Sequence, residues 1–317
     1  MRGMSRCGVA LRSVVGGMAR DDTWIAPTAF IVGSVLAGGN AVGVRFSNRE
    51  LEPFWGATLR FALAAALMLI VMAAIRQPFP RGRALIGAAT YGLFAFGGAF
   101  ALAFYALVEL EASFGQVLLS IVPLVTLLLA VLQRQERLTR TGLAGAAVAV
   151  TGVVVMSGLS SGGSVPIVSV LAAIGSAACF AQASITVRRF PPVHPVTLNA
   201  VGMAVGATFL ALLTFVAGSE VTVPNEAETW VALAYMVVVG SGVVFTLYVI
   251  VLRYWEASRA NYTFVLIPVF TVVFSIWLLD EHVSMAFVIG GVLVLAGVYI
   301  GALRQTPAPK PADKESE

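Results

Sequence analysis

The chain has 317 residues, of which 59% are apolar or aromatic and only 11% are charged. A soluble domain carries about 45–50% apolar and about 25% charged residues, so this composition excludes an ordinary soluble protein and favours one that lies in a lipid bilayer. The formal net charge of +4 would suggest nucleic acid as a partner of a soluble protein. The loops described below explain the positive residues differently, and we expect no nucleic-acid binding.

Apolar runs of the length that a helix needs to cross a bilayer, about 20 residues, recur along the whole chain. The predicted spans are 24–44, 54–75, 84–108, 112–132, 139–158, 167–187, 195–217, 229–252, 259–279 and 284–303. A Ser- and Gly-rich stretch at 157–166 divides a long uncharged run into the fifth and sixth spans. The runs lack the alternation of a β-barrel, so the sequence predicts an all-α integral membrane protein with ten transmembrane helices.

The Lys and Arg residues indicate how these helices are oriented. Seventeen of the twenty lie in the two tails and the even-numbered loops, whereas Arg45 and Arg49 lie in odd-numbered loops and Arg60 lies inside the second span. Loops rich in Lys and Arg remain in the cytoplasm. Both termini are therefore predicted to be cytoplasmic, in a multi-pass protein of the cell inner (plasma) membrane.

Two polar tails flank the predicted spans. Residues 1–23 are expected to form a basic cytoplasmic tail, because Arg6 and Arg12 interrupt the apolar stretch that a cleavable signal would need. Translation from Met18 is an alternative start. Residues 304–317 are Pro-rich and polar, and they are expected to form a second cytoplasmic tail without a core to join.

The second half of the chain repeats the first. With a shift of 145, residues 97–153 align without gaps onto 242–298, and 13 of the 57 positions are identical. The most informative identities are Gly97/Gly242, Phe100/Phe245, Glu111/Glu256, Pro123/Pro268 and Glu136/Glu281. Each repeat contains five spans, an odd number, so the two halves must cross the membrane in opposite directions. Many secondary transporters are built from inverted repeats of this kind.

These residues resemble the EamA family of the drug/metabolite transporter superfamily. The segments 112–123 and 257–268, each followed by a glutamate and a glycine-bearing span, are similar to the ends of that family's two repeats. The segment 53–60, which ends in Arg60, resembles the family's second span. The second half departs from this pattern, because Gly202 stands where a second arginine would match Arg60.

The resemblance implies two inverted-topology five-helix repeats, at 24–158 and 167–303, joined by a loop at 159–166. It also implies a central cavity lined mainly by spans 1, 3, 4, 6, 8 and 9, with spans 5 and 10 at the periphery. Members of the family carry amino acids, drugs and other metabolites, so the resemblance does not identify the cargo.

Polar side chains inside the spans are the candidate substrate contacts. Asn40 and Gln182 occupy matching positions in two spans that the resemblance assigns to the cavity, and Gln116 and Asn261 form a second matched pair. A buried amide needs a hydrogen-bond partner, which is either a substrate or a neighbouring helix. The full predicted set is Asn40, Gln182, Gln116, Asn261, Arg60, Tyr91 and Tyr248. Structural or snorkelling roles are the alternative for Arg60, and an interfacial aromatic belt is the alternative for the tyrosines.

Prolines and glycines suggest where the helices bend and pack. Pro123 and Pro268 lie mid-span, where each removes a backbone hydrogen bond, so both are predicted to kink their helices and to contribute to gating. The Gly-x-x-x-Gly motifs at 202–206 and 297–301 predict close helix packing within the chain or, alternatively, between two copies. A homodimer and a monomer therefore both stay open.

Motifs for ATP binding and for zinc hydrolysis are missing, so no cofactor, metal or catalytic residue is expected and the protein is not predicted to be an enzyme. The sequence predicts a secondary transporter or facilitator that exports a small neutral, zwitterionic or amphiphilic metabolite, such as an amino acid, by alternating access. One alternative is a sugar-nucleotide or phosphate-ester exchanger, which would need more cations in the cavity. Another is an integral-membrane enzyme or receptor, which would need a buried catalytic pair or an external ligand domain.

Overall fold

Ten apolar helices account for most of the described chain. The computed structural model describes residues 24–133, 140–158, 166–255, 260 and 263–300. In chain order the helices are α1 Ile25–Ser47, α2 Pro53–Ala74, α3 Arg83–Glu109, α4 Ala112–Leu119 with Val122–Leu132, α5 Arg140–Gly158, α6 Ile167–Arg189, α7 Pro195–Val216, α8 Ala227–Ala234 continued by Tyr235–Val244 and Phe245–Tyr254, α9 Thr263–Leu279 and α10 Met285–Val298.

Within the described residues, seven of these helices are long and apolar enough to cross a membrane, and α5, α9 and α10 are shorter apolar helices. The prediction of an all-helical membrane protein with ten helices is confirmed, and most predicted boundaries lie within one turn of the observed ends. The predicted tails at 1–23 and 304–317, most of the loop at 159–166 and the predicted start of the ninth span at 259 lie outside the described residues.

Local signals in the sequence explain where several helices begin. Pro53 and Pro195 occupy the first positions of α2 and α7, where the backbone N–H would have no partner within the helix. His194 and Ser284 cap α7 and α10 by accepting backbone N–H groups at 3.3 and 3.1 Å. Such caps satisfy donors that a helix start leaves unpaired.

Helix α4 consists of two segments, whereas α9 is continuous. A turn at Ser120 and Ile121 separates the segments of α4, and Pro123 lies in the first turn of the second segment. Proline favours a helix start because it has no N–H to donate. Pro268, its counterpart in the second half, lies inside α9. The repeat-related prolines therefore have different helical surroundings.

The helix contacts pair each half of the chain with the other. The most extensive contacts join α2 to α7 and α5 to α10. Helix α1 packs against α8 and α9, and the corresponding helix of the second half, α6, packs against α3 and α4. Exchanging the first five helices for the last five therefore reproduces the same pattern of neighbours.

Glycines allow the closest of these contacts. A Cβ on Gly297 of α10 would lie 2.5 Å from the Ala149 nitrogen and 2.6 Å from the Gly145 oxygen of α5, and a Cβ on Gly152 would lie 2.6 Å from the Gly290 oxygen. These distances are too short for any side chain, so the two backbones touch. Glycine at these positions is required by the packing of α5 against α10.

The Gly-x-x-x-Gly motif at 202–206 also packs helices of the same chain. A Cβ on Gly206 would meet the backbone of Phe96 at 2.9 Å, and one on Gly92 would lie 2.2 Å from the Gly202 oxygen. This face of α7 is therefore in contact with α3.

Charged residues of the described chain divide between the two ends of the bundle. The acidic end carries the loops 48–52, 110–111, 217–226 and 280–284, and the arginine end carries the loops 75–82 and 190–194. At the acidic end, the Glu281 carboxylate accepts hydrogen bonds from the Ala112 N–H at 2.7 Å and from the Ser113 N–H and hydroxyl at 3.2 and 2.7 Å. It thus caps the start of α4, where a negative charge also complements the helix dipole.

The α5–α10 contact predicts opposite effects for two glycines of one helix. Gly297→Ala should lower the Tm, because overpacking two backbones costs about 1–3 kcal/mol. Gly291→Ala is the matched control, because a Cβ at Gly291 has no atom within 4 Å, and alanine has the higher helix propensity. Thermal unfolding of the purified variants in detergent measures both effects. Equal Tm shifts would contradict this account of the packing.

Replacing Glu111 at the acidic end with glutamine is predicted to stabilise the protein by an amount that depends on pH. Partial desolvation of the exposed Glu111 carboxyl, and after it the Glu281 carboxylate, raise the pKa of Glu111, so ionisation of Glu111 destabilises the folded protein. Glu111→Gln should raise the Tm at pH 8, and the gain should shrink as the pH falls toward the ordinary carboxyl pKa. Glu220→Gln, at an exposed site on the same end, controls for net charge, and a gain independent of pH would show the explanation to be wrong.

Candidate functional site

Arg60 is buried in the middle of the bundle. It lies two turns into α2, and its side chain is 0% exposed. Its Nη2 donates a hydrogen bond to the Asn40 Oδ1 of α1 at 3.0 Å, and its Nε donates to the Ser241 Oγ of α8 at 3.2 Å. A cation at the centre of a membrane helix costs about 2.5–3.5 kcal/mol on insertion scales, so these contacts, one within the first half and one to the second half, are needed to hold it. The side chain is enclosed by its neighbours and does not reach the surface of the bundle.

Aromatic rings complete the immediate surroundings of this guanidinium. Its Cζ lies 4.9 Å from the ring centroid of Phe61 and 4.7 Å from that of Phe100. A cation at this distance from a ring face is attracted by about 0.5–2 kcal/mol. Arg60 Nη1, by contrast, is buried and has no hydrogen-bond partner among the described residues.

The backbone of α8 is shaped to admit this polar pair. Residues Tyr235–Val244 form a π-helix, a conformation that is rare and occurs frequently at functional sites. A Cβ on Gly240, inside this segment, would lie 2.0 Å from the Asn40 Oδ1 and 3.1 Å from the Arg60 Nη2. Only glycine at 240 leaves space for the hydrogen-bonded Asn40 and Arg60 side chains. The next residue, Ser241, supplies the acceptor for Arg60 Nε.

A cavity of about 80 Å³ adjoins Arg60 and lies between helices of both halves. It is bordered by α1, α2, α3, α4, α6, α8 and α9. Its polar lining residues are Asn40, Arg60, Gln116, Tyr248 and Thr263, and its aromatic walls are Phe100, Phe180, Phe245 and Phe264. The described lining thus combines one cation with amides, hydroxyls and a mainly apolar surface.

The phenylalanines of the cavity wall form one connected cluster. Phe180 lies 5.4 Å from Phe100 and 5.3 Å from Phe264, measured between ring centroids, and Phe245 lies 5.9 Å from Phe100. Tyr248 packs edge-on against Phe264 at 5.9 Å, and its hydroxyl lies 3.3 Å from the Ser184 Oγ. These separations are typical of attractive aromatic pairs.

Four of the predicted contact residues, Asn40, Arg60, Gln116 and Tyr248, line this cavity. Gln182 does not, although it matches Asn40 in the repeat. Its Oε1 accepts a hydrogen bond from the Gln133 Nε2 at 2.8 Å, which joins α6 to the end of α4.

The remaining predicted residues have other surroundings. Tyr91 is 1% exposed and donates a hydrogen bond to the Asn199 Oδ1 of α7 at 3.4 Å, away from the cavity. Asn261 lies outside the described residues. Pro123 lies in the first turn of the second segment of α4 and Pro268 lies inside the continuous α9, and neither lines the cavity.

The phenylalanines and the α8 backbone were missed by the sequence interpretation. Phe100 and Phe245 are identical positions of the two repeats, and this identity was the available signal. Ser241 gave no signal, because its role depends on the π-helical turn that places its hydroxyl beside Arg60.

The arrangement supports binding of a small molecule. Within the described residues, no group of three or more His, Cys, Asp or Glu side chains is placed to hold a metal ion. The cavity instead offers hydrogen-bond donors, one positive charge and aromatic surface, which is the usual composition of a small-molecule site.

Comparisons with known proteins agree with this fold. An uncharacterized transporter of Archaeoglobus fulgidus is 26% identical over 263 residues, which cover 81% of this chain and 91% of the relative. The uncharacterized transporter YyaM of Bacillus subtilis is 25% identical over 277 residues, covering 84% of this chain and 89% of the relative. A solved crystal structure, 21% identical, has the same fold with a TM-score of 0.63 and covers 88% of this chain and 96% of its own.

The profile of the EamA-like transporter family matches the chain twice, at residues 24–158 and 166–302. Together the two matches include nearly all of the ten helices. This is a transporter family and not an enzyme family, and its members carry small molecules through membranes. The chain therefore belongs to the EamA-like transporter family.

Proposed function

We propose that the protein is a secondary transporter or facilitator that exports a small neutral, zwitterionic or amphiphilic metabolite, such as an amino acid, across the cell inner membrane by alternating access. The observation that carries this proposal is the cavity at Arg60, which is bordered by helices of both halves. Alternating access requires a site at such a junction, so that movement of one half against the other changes its exposure.

The pattern of helix contacts supports an inverted repeat. The two family matches each contain five helices, an odd number, so the two related repeats are expected to cross the membrane in opposite directions. The contact α1–α9 has its equivalent in α6–α4, and the contacts α2–α7 and α5–α10 each pair a helix with its own counterpart. This pattern is the one expected for a two-fold axis in the membrane plane. In this arrangement 24–158 and 167–303 are the repeats and 159–166 joins them.

The arginine end is proposed to face the cytoplasm, with both termini, and the acidic end to face outward. Helices α4 and α9 are the candidate moving elements, because α4 is interrupted at Ser120 and Ile121 and α9 contains Pro268. Both helices border the cavity and contact neighbours in the other half. A change in their bending would open the cavity at one end while closing it at the other.

Orientation can be tested with reporter fusions. Fusions after residues 80, 190 and 310 should report cytoplasm, and fusions after residues 49, 110 and 223 should report the outside, because the arginine-rich loops are retained inside. Alkaline phosphatase and green fluorescent protein, which are active on opposite sides, provide the paired measurement. Phosphatase activity at residue 310 would refute the cytoplasmic C-terminus.

Two glutamines provide a matched test of the cavity. Gln116 lines it, whereas Gln182 bonds Gln133 away from it. Gln116→Leu should raise the KM for export about tenfold, since a lost polar partner costs about 1–3 kcal/mol. Gln182→Leu should lower the Tm and leave the KM unchanged.

The metabolites to follow are those that accumulate outside cells producing the wild-type protein and not outside vector controls. Their export is then measured in reconstituted vesicles for the wild type and both variants. Equal KM values for wild type and Gln116→Leu would remove this cavity as the substrate site. The absence of any exported metabolite would count against the proposed function itself.

A further inference from the structure

We infer that the cargo is an amphiphilic monoanion, with a carboxylate that binds Arg60 and an apolar body that packs among the phenylalanines of the cavity. This inference rests on the proposed function and makes it more specific, because a neutral molecule and a free amino acid become the poorer ligands. Three observations carry it: an unpaired donor on Arg60, the balance of charge around the cavity and the composition of its walls.

The first observation concerns the hydrogen bonds of the guanidinium. Arg60 donates hydrogen bonds from Nε to Ser241 and from Nη2 to Asn40, and its fully buried Nη1 has no partner among the described residues. A buried polar donor without an acceptor is costly, and the cost is larger when the group is charged. Because Arg60 borders the cavity, a bound acceptor atom is the natural partner for this donor.

A second donor lies beside the first. Asn40 also lines the cavity, and its amide oxygen accepts from Arg60. The Asn40 Nδ2 group therefore keeps its two hydrogens for another acceptor. A carboxylate has two oxygens in one plane and can accept from the guanidinium and the amide with one oxygen each, whereas a hydroxyl or a single carbonyl must accept both with one oxygen and brings no negative charge.

The second observation is the charge balance. The salt bridge of the described residues joins Arg49 to Glu228, far from Arg60, and the described lining of the cavity contains neither Asp nor Glu. One positive charge is thus left to a ligand to neutralise in a medium of low dielectric constant. A monoanion balances it. A zwitterion would bring an ammonium group for which this lining has no carboxylate, and a dianion would bring a second charge without a second cation.

The third observation is the wall opposite the charge. Phe180, Phe245 and Phe264 surround the space beyond Arg60 and contact one another or Phe100 edge-on or tilted. Burial of apolar surface there contributes about 25 cal/mol per Å². The cavity volume of about 80 Å³ accommodates a carboxylate and few further atoms, so these rings must move apart to admit the apolar body.

The test uses ligands that share one phenyl ring and differ in charge. The purified full chain in detergent is titrated with 3-phenylpropionate, phenylalanine, 2-phenylethylamine and phenyl phosphate, and Kd is measured by calorimetry. We expect 3-phenylpropionate to bind about 10- to 100-fold more tightly than the other three, the range expected for hydrogen bonds to a charged group. No saturable binding of 3-phenylpropionate, or equal binding of phenylalanine or phenylethylamine, would overturn the inference.

Two variants test whether Arg60 is the partner. Arg60→Gln should weaken 3-phenylpropionate binding about 10- to 100-fold, and Arg83→Gln, which removes an exposed arginine at the start of α3, should leave it unchanged. Arg60→Gln could lower folding yield, so Asn40→Asp is the second variant. It keeps the side-chain shape and the acceptor for Arg60 but neutralises the guanidinium with an internal carboxylate.

Asn40→Asp should therefore raise the Tm and weaken the binding of 3-phenylpropionate by about tenfold or more. Unchanged anion affinity in this variant would refute the assignment to Arg60. Uptake into proteoliposomes distinguishes failure of the anion site from failure of the proposed transport function. Binding of 3-phenylpropionate without its movement would leave the anion site standing and count against transport. Movement of phenylalanine by a protein that does not bind 3-phenylpropionate would support transport and overturn the anion site.

Discussion

Burial of one guanidinium organises the centre of this protein. Arg60 is fully buried, so its charge must be compensated by neighbours that other helices bring to it: Asn40 from α1, Ser241 from α8 and the Phe100 ring from α3. Each of these contacts constrains the backbone that supplies it, most of all at Gly240. The cost of desolvating the arginine thus couples four helices, and its Nη1, which has no partner among the described residues, makes their meeting point a place for a ligand.

Elements governed by the bilayer could be predicted from the sequence, because one physical limit acts on each of them separately. Helix length follows from membrane thickness, and Pro53 and Pro195 mark helix starts wherever the rest of the chain lies. The division of α4 into two segments is different. Pro123 indicates that a helical bond is lost, but whether a helix bends or separates depends on its neighbours, as the continuous α9 around Pro268 demonstrates.

Side-chain surroundings were less predictable for the same reason. Asn40 and Gln182 match in sequence, yet one amide faces Arg60 and the other bonds Gln133. A repeat preserves the path of the backbone more faithfully than the partners of any one side chain. The contribution of Ser241 required the π-helical segment of α8, which replaces the usual register of side chains around the helix axis. No periodicity in the sequence reports that change.

The asymmetry of the two halves explains why the cavity holds a single described cation. Gly202 stands where α7 would carry a second arginine, and a Cβ there would already lie 3.1 Å from both Phe96 and Tyr91. The Gly92 Cα would lie at 3.3 Å, so α7 packs on α3 through a surface that has no room for a long side chain. One repeat therefore supplies the charge on α2, and the other supplies the Ser241 hydroxyl of α8 that accepts its hydrogen bond. Because the halves contribute different chemistry to one junction, a relative movement between them would alter the contacts of Arg60 and of anything bound to it together.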